Sequence, residues 1–176
     1  MPEAALPFGV DKMIYFHEAI KDLWRVHFGE KGIKNLPKLE APFSRRDIDG
    51  YWYVSNGYVA KALAEQYQAE VIVGLESQNR VLKKFANAAF HFSPKKILPG
   101  YYEKCILVPG AEYLPYSWLE VFAIKYVIFS QYKPVEKAGV FLGKIPMGIS
   151  ICYEETYGYL IRESRNALKL FSSLGF

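Results

Sequence analysis

The sequence predicts a single α/β domain, and three observations indicate this class. Short β-branched and aromatic runs that end near Gly or Pro, such as 69–76 and 87–92, predict buried strands. Apolar residues at four-residue spacing over 57–68 predict a helix. Strands and helices alternate along the chain, which is typical of α/β proteins. The 176 residues, 51% of them hydrophobic, are enough for one domain with a core.

The first half of the chain begins with an irregular region. Residues 9–50 are polar and aromatic with scattered Gly and Pro, and they predict an insertion that contains one short helix near 12–27. Ser55 and Asn56 offer an N-cap for the next helix. Three apolar side chains recur on that helix at four-residue spacing: Val59, Leu63 and Tyr67.

The later elements are mostly strands. The runs 69–76 and 87–92 are followed by a third predicted strand over 101–109, which Pro109-Gly110 stops. Two short runs, 138–143 and 147–152, are joined by a tight Gly143-Lys144 connection and predict a hairpin. Residues 153–171 then predict one helix with three apolar residues on its inner side: Leu160, Ile161 and Leu168.

Composition argues against several classes of protein. The net charge of +4 comes from short basic pairs rather than a basic face, so nucleic acid is not an expected partner. Two cysteines are too few for a disulfide framework. The three histidines lack metal-ligand spacing, so no metal is predicted. No cofactor is expected either. The most apolar stretch, 118–129, is short and contains Glu120 and Lys125, which predicts a chain that is soluble or lies on a membrane.

Cys152 lies in "GISICYEETYG", where a predicted strand meets a predicted helix. A helix N-terminus and a nearby cation both stabilise thiolate, the reactive form of cysteine. Lys104 is the candidate cation, and strand alternation would point Cys105 away from it. A buried structural cysteine and a solvated lysine are the competing interpretations.

The candidate carboxylate is Glu3 in "PEAALPF". Glu40 in "LEAPF" is superficially similar, but only Glu3 has the preceding proline and the full spacing to Pro7-Phe8. Terminal glutamates are commonly just solvated, so this residue type alone does not establish a role.

Together these segments resemble the carbon–nitrogen hydrolase (nitrilase) superfamily, whose members use a Glu-Lys-Cys triad. "YYEKCILVPGAEYLP" with "ISICYEE" resembles more narrowly the bacterial apolipoprotein N-acyltransferases. The resemblance implies a nitrilase-like α-β-β-α sandwich with a partial catalytic domain over 1–176. It also implies roles for six residues: Glu3 as general base, Lys104 as oxyanion-stabilising cation, Cys152 as nucleophile, and Glu112, Tyr153 and Glu154 as supporting residues.

The implied activity is N-acyl transfer. Cys152 would take an acyl chain from a phospholipid as a thioester, and the N-terminal diacylglyceryl-cysteine of an apolipoprotein would receive it. The segment 116–132 would correspond to an arm whose aromatic side chains meet acyl chains or the membrane surface. The implied location is the bacterial inner membrane, with the catalytic domain facing the periplasm.

The chain also departs from the family pattern at both ends, since Met1 and Phe176 stand where further strands and membrane segments are expected. This predicts a sandwich that is incomplete at both ends and a truncated catalytic domain. Two other functions remain open from the sequence: a soluble carbon–nitrogen hydrolase acting on small amides, and an inactive fragment.

Overall fold

The structure of the chain, a computed structural model, describes residues 9–79, 84–109 and 139–173. Within them lie eight strands, three α-helices and one 3₁₀-helix. The strands are β1 (Met13–Phe16), β2 (Ser44–Arg46), β3 (Trp52–Ser55), β4 (Val71–Asn79), β5 (Lys84–Phe92), β6 (Gly100–Glu103), β7 (Gly139–Phe141) and β8 (Met147–Ile149). The helices are α1 (His17–Lys34), α2 (Asn56–Tyr67), the 3₁₀-helix Cys152–Thr156, and α3 (Gly158–Ser173).

The region predicted to be irregular contains β1, α1 and β2. The single helix predicted near 12–27 is instead α1, which begins at His17, bends at Gly29 and continues to Lys34. Gly29 has a φ of 66°, a left-handed conformation that interrupts the helix and that glycine adopts without steric cost. Strand β3 is central in the antiparallel sheet β1-β3-β2, and its Val54 is fully buried.

Helix α2 confirms the helix predicted after Ser55-Asn56. Its buried residues, however, are not the apolar residues whose four-residue spacing predicted it. Ala60, Ala62 and Ala64 are buried, whereas Tyr67 is exposed. Gly57, near the start of α2, lets the Phe43 ring approach the helix backbone closely, because a Cβ at position 57 would lie 2.4 Å from that ring. Small residues on α2 therefore let the neighbouring chain pack tightly against it.

The strands predicted at 69–76 and 87–92 are confirmed as β4 and β5, which form a sheet in the order β4-β5-β6. The predicted hairpin is confirmed as the antiparallel pair β7-β8. The strand predicted over 101–109 is wrong in extent, because β6 ends at Glu103, just before Lys104.

The helix predicted over 153–171 is also wrong in part. It is divided at Tyr157 into the 3₁₀-helix and α3. Leu160 is buried as predicted, but Ile161 is 51% exposed. Helix α3 packs against β7 and β8, where Gly148 leaves room for the side chains of Ser164 and Leu168.

The mixture of helices and sheets agrees with an α/β, nitrilase-like fold. The chain divides into two compact units. One contains the described parts of Glu76–Ala89 and Tyr101–Phe176, and the other contains the described part of Ala5–Leu75 together with Phe90–Gly100. None of the helices in the described residues is both long enough and apolar enough to cross a membrane.

Candidate active site

Cys152 is exposed and is the first residue of the 3₁₀-helix that follows β8. Its φ of 51° lies in the left-handed region, which few non-glycine residues adopt. Such backbone strain is concentrated at functional sites, where the surrounding structure holds it in place. The predicted strand-to-helix junction is therefore present, but the helix is a single short 3₁₀ segment rather than the predicted long helix.

Lys104 lies immediately after β6 and is fully buried, with 0% of its surface exposed. Its backbone N–H donates to the carbonyl of Asn87 on β5, over 2.8 Å. A fully buried lysine is uncommon, since burial of an ammonium requires compensating polar contacts. The alternative interpretation of Lys104 as an ordinary solvated lysine is wrong.

Glu154 joins the segment after Lys104 to the segment before Cys152. Its Oε1 accepts hydrogen bonds from the backbone N–H groups of Cys105 and Ile106, the latter over 3.2 Å. Its Oε2 accepts from the N–H of Ile151, over 2.8 Å. Because one buried carboxylate bonds to both segments, the backbone beside Lys104 and the backbone beside Cys152 lie close together. The supporting role of Glu154 stays a prediction.

Tyr102 is a member of this cluster that the sequence analysis did not identify. Its hydroxyl donates to Glu154 Oε1 over 2.8 Å and lies 3.2 Å from Cys105 Sγ. Burial, followed by the hydrogen bonds with Cys105 and Glu154, raises the pKa of Tyr102 well above its usual range. The sequence offers one indication of its role: Tyr102 lies in a predicted strand, two residues before Lys104.

The other residues that the sequence singled out lie in or beside the hydrogen-bonded cluster around Glu154, or outside the described part of the chain. Tyr153 is 38% exposed, and its ring stacks edge-on with that of Tyr157 at 5.4 Å between centroids. Cys105 is half-buried, and neither Cys105 nor Cys152 is in a disulfide bond. Glu3, Glu112 and the predicted arm over 116–132 lie outside the described residues, so their roles stay predictions.

Glu40 is the alternative candidate carboxylate, and it lies in the other unit, where it lines a cavity of about 580 Å³. The buried amine of Lys61 in this cavity donates to the carbonyls of Ser93, Pro94 and Lys96. Lys61 therefore supports the loop after β5. Within residues 9–79, 84–109 and 139–173, no group of three or more His, Cys, Asp or Glu side chains is arranged to hold a metal ion.

Comparison with protein families gives a match to the carbon–nitrogen hydrolases over residues 59–169, more than half of the chain. The chain belongs to the carbon–nitrogen hydrolase family. The matched range includes Lys104, Cys152 and Glu154, and the family resemblance stated from the sequence is confirmed.

Curated relatives are apolipoprotein N-acyltransferases. The protein of that name from Chlamydia trachomatis serovar D is 34% identical over 172 residues, which cover 92% of this chain and 28% of the relative. That of Chlamydia muridarum is 34% identical over 91% of this chain and 28% of its own length. That of Chlamydia caviae is 31% identical over 98% of this chain and 30% of its own length.

The chain thus spans less than a third of the length of these relatives. The name that these relatives share is that of an N-acyltransferase, not that of a hydrolase acting on small amides. No solved structure matches the chain significantly.

Proposed function

We propose that this chain carries the nucleophile of an apolipoprotein N-acyltransferase and transfers an acyl group through a thioester on Cys152. The observation that carries the proposal is the Glu154 carboxylate. It accepts hydrogen bonds from the backbone of Ile151, just before Cys152, and from the backbone of Cys105 and Ile106, just after Lys104. The three named relatives support the same activity.

In the first step, the Cys152 thiolate attacks an ester carbonyl of a phospholipid. Glu3 takes the thiol proton, and the ammonium of Lys104 stabilises the tetrahedral oxyanion. The carbon–sulfur bond forms, the ester carbon–oxygen bond breaks, and the lysophospholipid alkoxide takes a proton from Glu3 as it leaves. The product is an acyl-enzyme thioester.

In the second step, the α-amine of a diacylglyceryl-cysteine attacks the thioester. The carbon–nitrogen bond forms, Glu3 accepts the amine proton, and the Cys152 thiolate leaves. A thiolate is a good leaving group, so the thioester is activated toward the amine. The phospholipid donor and the lipid-modified acceptor place this reaction at a membrane surface, and family membership suggests the periplasmic face of a bacterial inner membrane.

The test is N-acylation of a diacylglyceryl-cysteine peptide by the purified chain in the presence of phospholipid vesicles, followed by mass spectrometry. Cys152→Ala should reduce the rate on the order of a thousandfold or more, because the covalent route is lost. Cys105→Ala is the matched control and should retain the rate within about twofold, as expected for a residue outside the chemistry. An unchanged rate in Cys152→Ala, or no acylated peptide from the unaltered chain, would contradict the proposal.

A further inference from the structure

Tyr102 is a buried residue of β6 that the proposed mechanism does not use. Its ring packs against Gly139 of β7 so closely that a Cβ on residue 139 would lie 2.4 Å from two ring atoms. The ring position is thus determined by packing, and it brings the hydroxyl to 2.8 Å from Glu154 Oε1. Only a residue without a side chain at position 139 permits this placement.

Glu154 connects that hydroxyl to the two segments of the candidate active site. Its side chain is fully buried, so each of its hydrogen bonds is made away from competing water. Oε1 accepts from Tyr102, Cys105 and Ile106, and Oε2 accepts from Ile151. Tyr102 is the donor in this set that belongs to a side chain, whereas the other three are backbone groups.

We propose that Tyr102 is a positioning residue, whose hydroxyl orients the Glu154 carboxylate and thereby holds the backbone at Ile151–Cys152 beside the segment that follows Lys104. The inference rests on the function proposed above. The phenol stays protonated at neutral pH, since burial raises its pKa, and it therefore remains a donor. Loss of this donor would leave the carboxylate held by three backbone N–H groups alone, and the weaker restraint would loosen the φ of 51° at Cys152.

The direct test uses Tyr102→Phe, which keeps the ring against Gly139 and removes only the hydroxyl. Tyr101→Phe is the matched control, because Tyr101 is the adjacent residue of β6 and is 65% exposed. Amide hydrogen exchange of Ile151 should accelerate about tenfold or more in Tyr102→Phe, because its acceptor becomes less well ordered, and should not change in the control. Unchanged exchange at Ile151 in folded Tyr102→Phe would overturn the proposal.

Acyl transfer supplies an independent measurement. In Tyr102→Phe, kcat should fall roughly ten- to a hundredfold with KM within about twofold, because misplacement of reacting groups by about 1 Å affects the chemical step. Glu154→Gln combined with Tyr102→Phe should be little slower than Glu154→Gln alone, since both substitutions act through the same carboxylate. Fully additive effects would also overturn the proposal.

The two proposals fail separately. If the unaltered chain transfers no acyl group, the proposed function is wrong, but the exchange of Ile151 still decides whether Tyr102 orients Glu154. If transfer occurs and Tyr102→Phe behaves like Tyr101→Phe in both rate and exchange, only the positioning role is wrong.

Discussion

At the scale of single residues, the two cysteines have different surroundings. Cys152 is exposed and adopts a left-handed φ of 51°. Cys105 is half-buried, and its sulfur lies 3.2 Å from the Tyr102 hydroxyl. Because alkylation requires an accessible thiolate, exposure alone favours reaction at Cys152.

We therefore predict that iodoacetamide at near-neutral pH labels Cys152 first. The rate at each site is measured by peptide mapping over time, and labelling at Cys152 should be at least about tenfold faster than at Cys105, given the effect of thiolate accessibility. Cys152→Ser serves as the control, and its remaining thiol should label slowly. Faster labelling of Cys105 than of Cys152 in the unaltered chain would show that Cys152 is not the more reactive thiol.

At the scale of elements, Lys61 shows how one helix supports a loop. This residue of α2 donates to three carbonyls in the turn after β5, at 2.8 to 3.2 Å, and pairs with Glu65 one turn along the helix. A hydrogen bond to a charged group contributes about 1.5–3 kcal/mol, and unpaired buried carbonyls add a penalty. The turn at 93–96 therefore depends on a side chain that lies more than 30 residues earlier.

Lys61→Met should lower the free energy of unfolding by about 2–4 kcal/mol, because three carbonyls lose their donor while the apolar stem is kept. Lys31→Met on the exposed surface of α1 is the matched control, with an expected change within about 0.5 kcal/mol. Urea unfolding of the three chains measures the difference. An equal effect of the two substitutions would show that the carbonyl contacts contribute nothing to stability.

Elements with a local signal could be predicted from the sequence. Strands β4 and β5 and the β7-β8 hairpin follow from β-branched runs and glycine-containing turns. The apolar spacing predicts that α2 is a helix but not which of its sides is buried. The end of β6 could not be predicted, because the N–H groups of Cys105 and Ile106 bond to Glu154, about 50 residues later, instead of to a neighbouring strand. The same carboxylate accepts a hydrogen bond from the N–H of Ile151, the residue that precedes the separate 3₁₀-helix.

The residues of the candidate site could be predicted from the sequence only in part. Motif resemblance located Lys104, Cys152 and Glu154, which the structure describes, whereas Glu3 and Glu112 lie outside the described residues. Tyr102 was missed because its importance depends on a long-range hydrogen bond and on its contact with Gly139. Neither interaction has a local pattern in the sequence.

At the scale of the whole molecule, stability should depend on pH through two histidines. Burial lowers the pKa of His17 and of His91 below 6.5, although Glu18 and Glu70 partly oppose this effect. The unfolded chain therefore binds more protons than the folded chain as the pH falls below 6.5. The contribution of these two histidines to the free energy of unfolding is fully present above that pH. It is lost as the pH falls through their lowered pKa values.

We predict a lower free energy of unfolding at about pH 5.5 than at about pH 7.5, since the imidazoles become charged on unfolding. Urea unfolding at the two pH values measures the change. The double variant His17→Gln, His91→Gln should show a smaller difference between the two pH values, whatever its absolute stability. Greater stability of the unaltered chain at the lower pH would contradict the sign of this effect.

Acyl transfer through Cys152 requires an acyl-enzyme that can be detected. The purified chain is incubated with phospholipid vesicles, and its intact mass is measured before and after addition of a diacylglyceryl-cysteine peptide. We expect one acyl adduct on Cys152, which hydroxylamine removes as it removes a thioester, and which transfers to the peptide amine when the peptide is added. A peptide that becomes acylated while Cys152 never carries the acyl group, or an adduct located on Cys105, would contradict it.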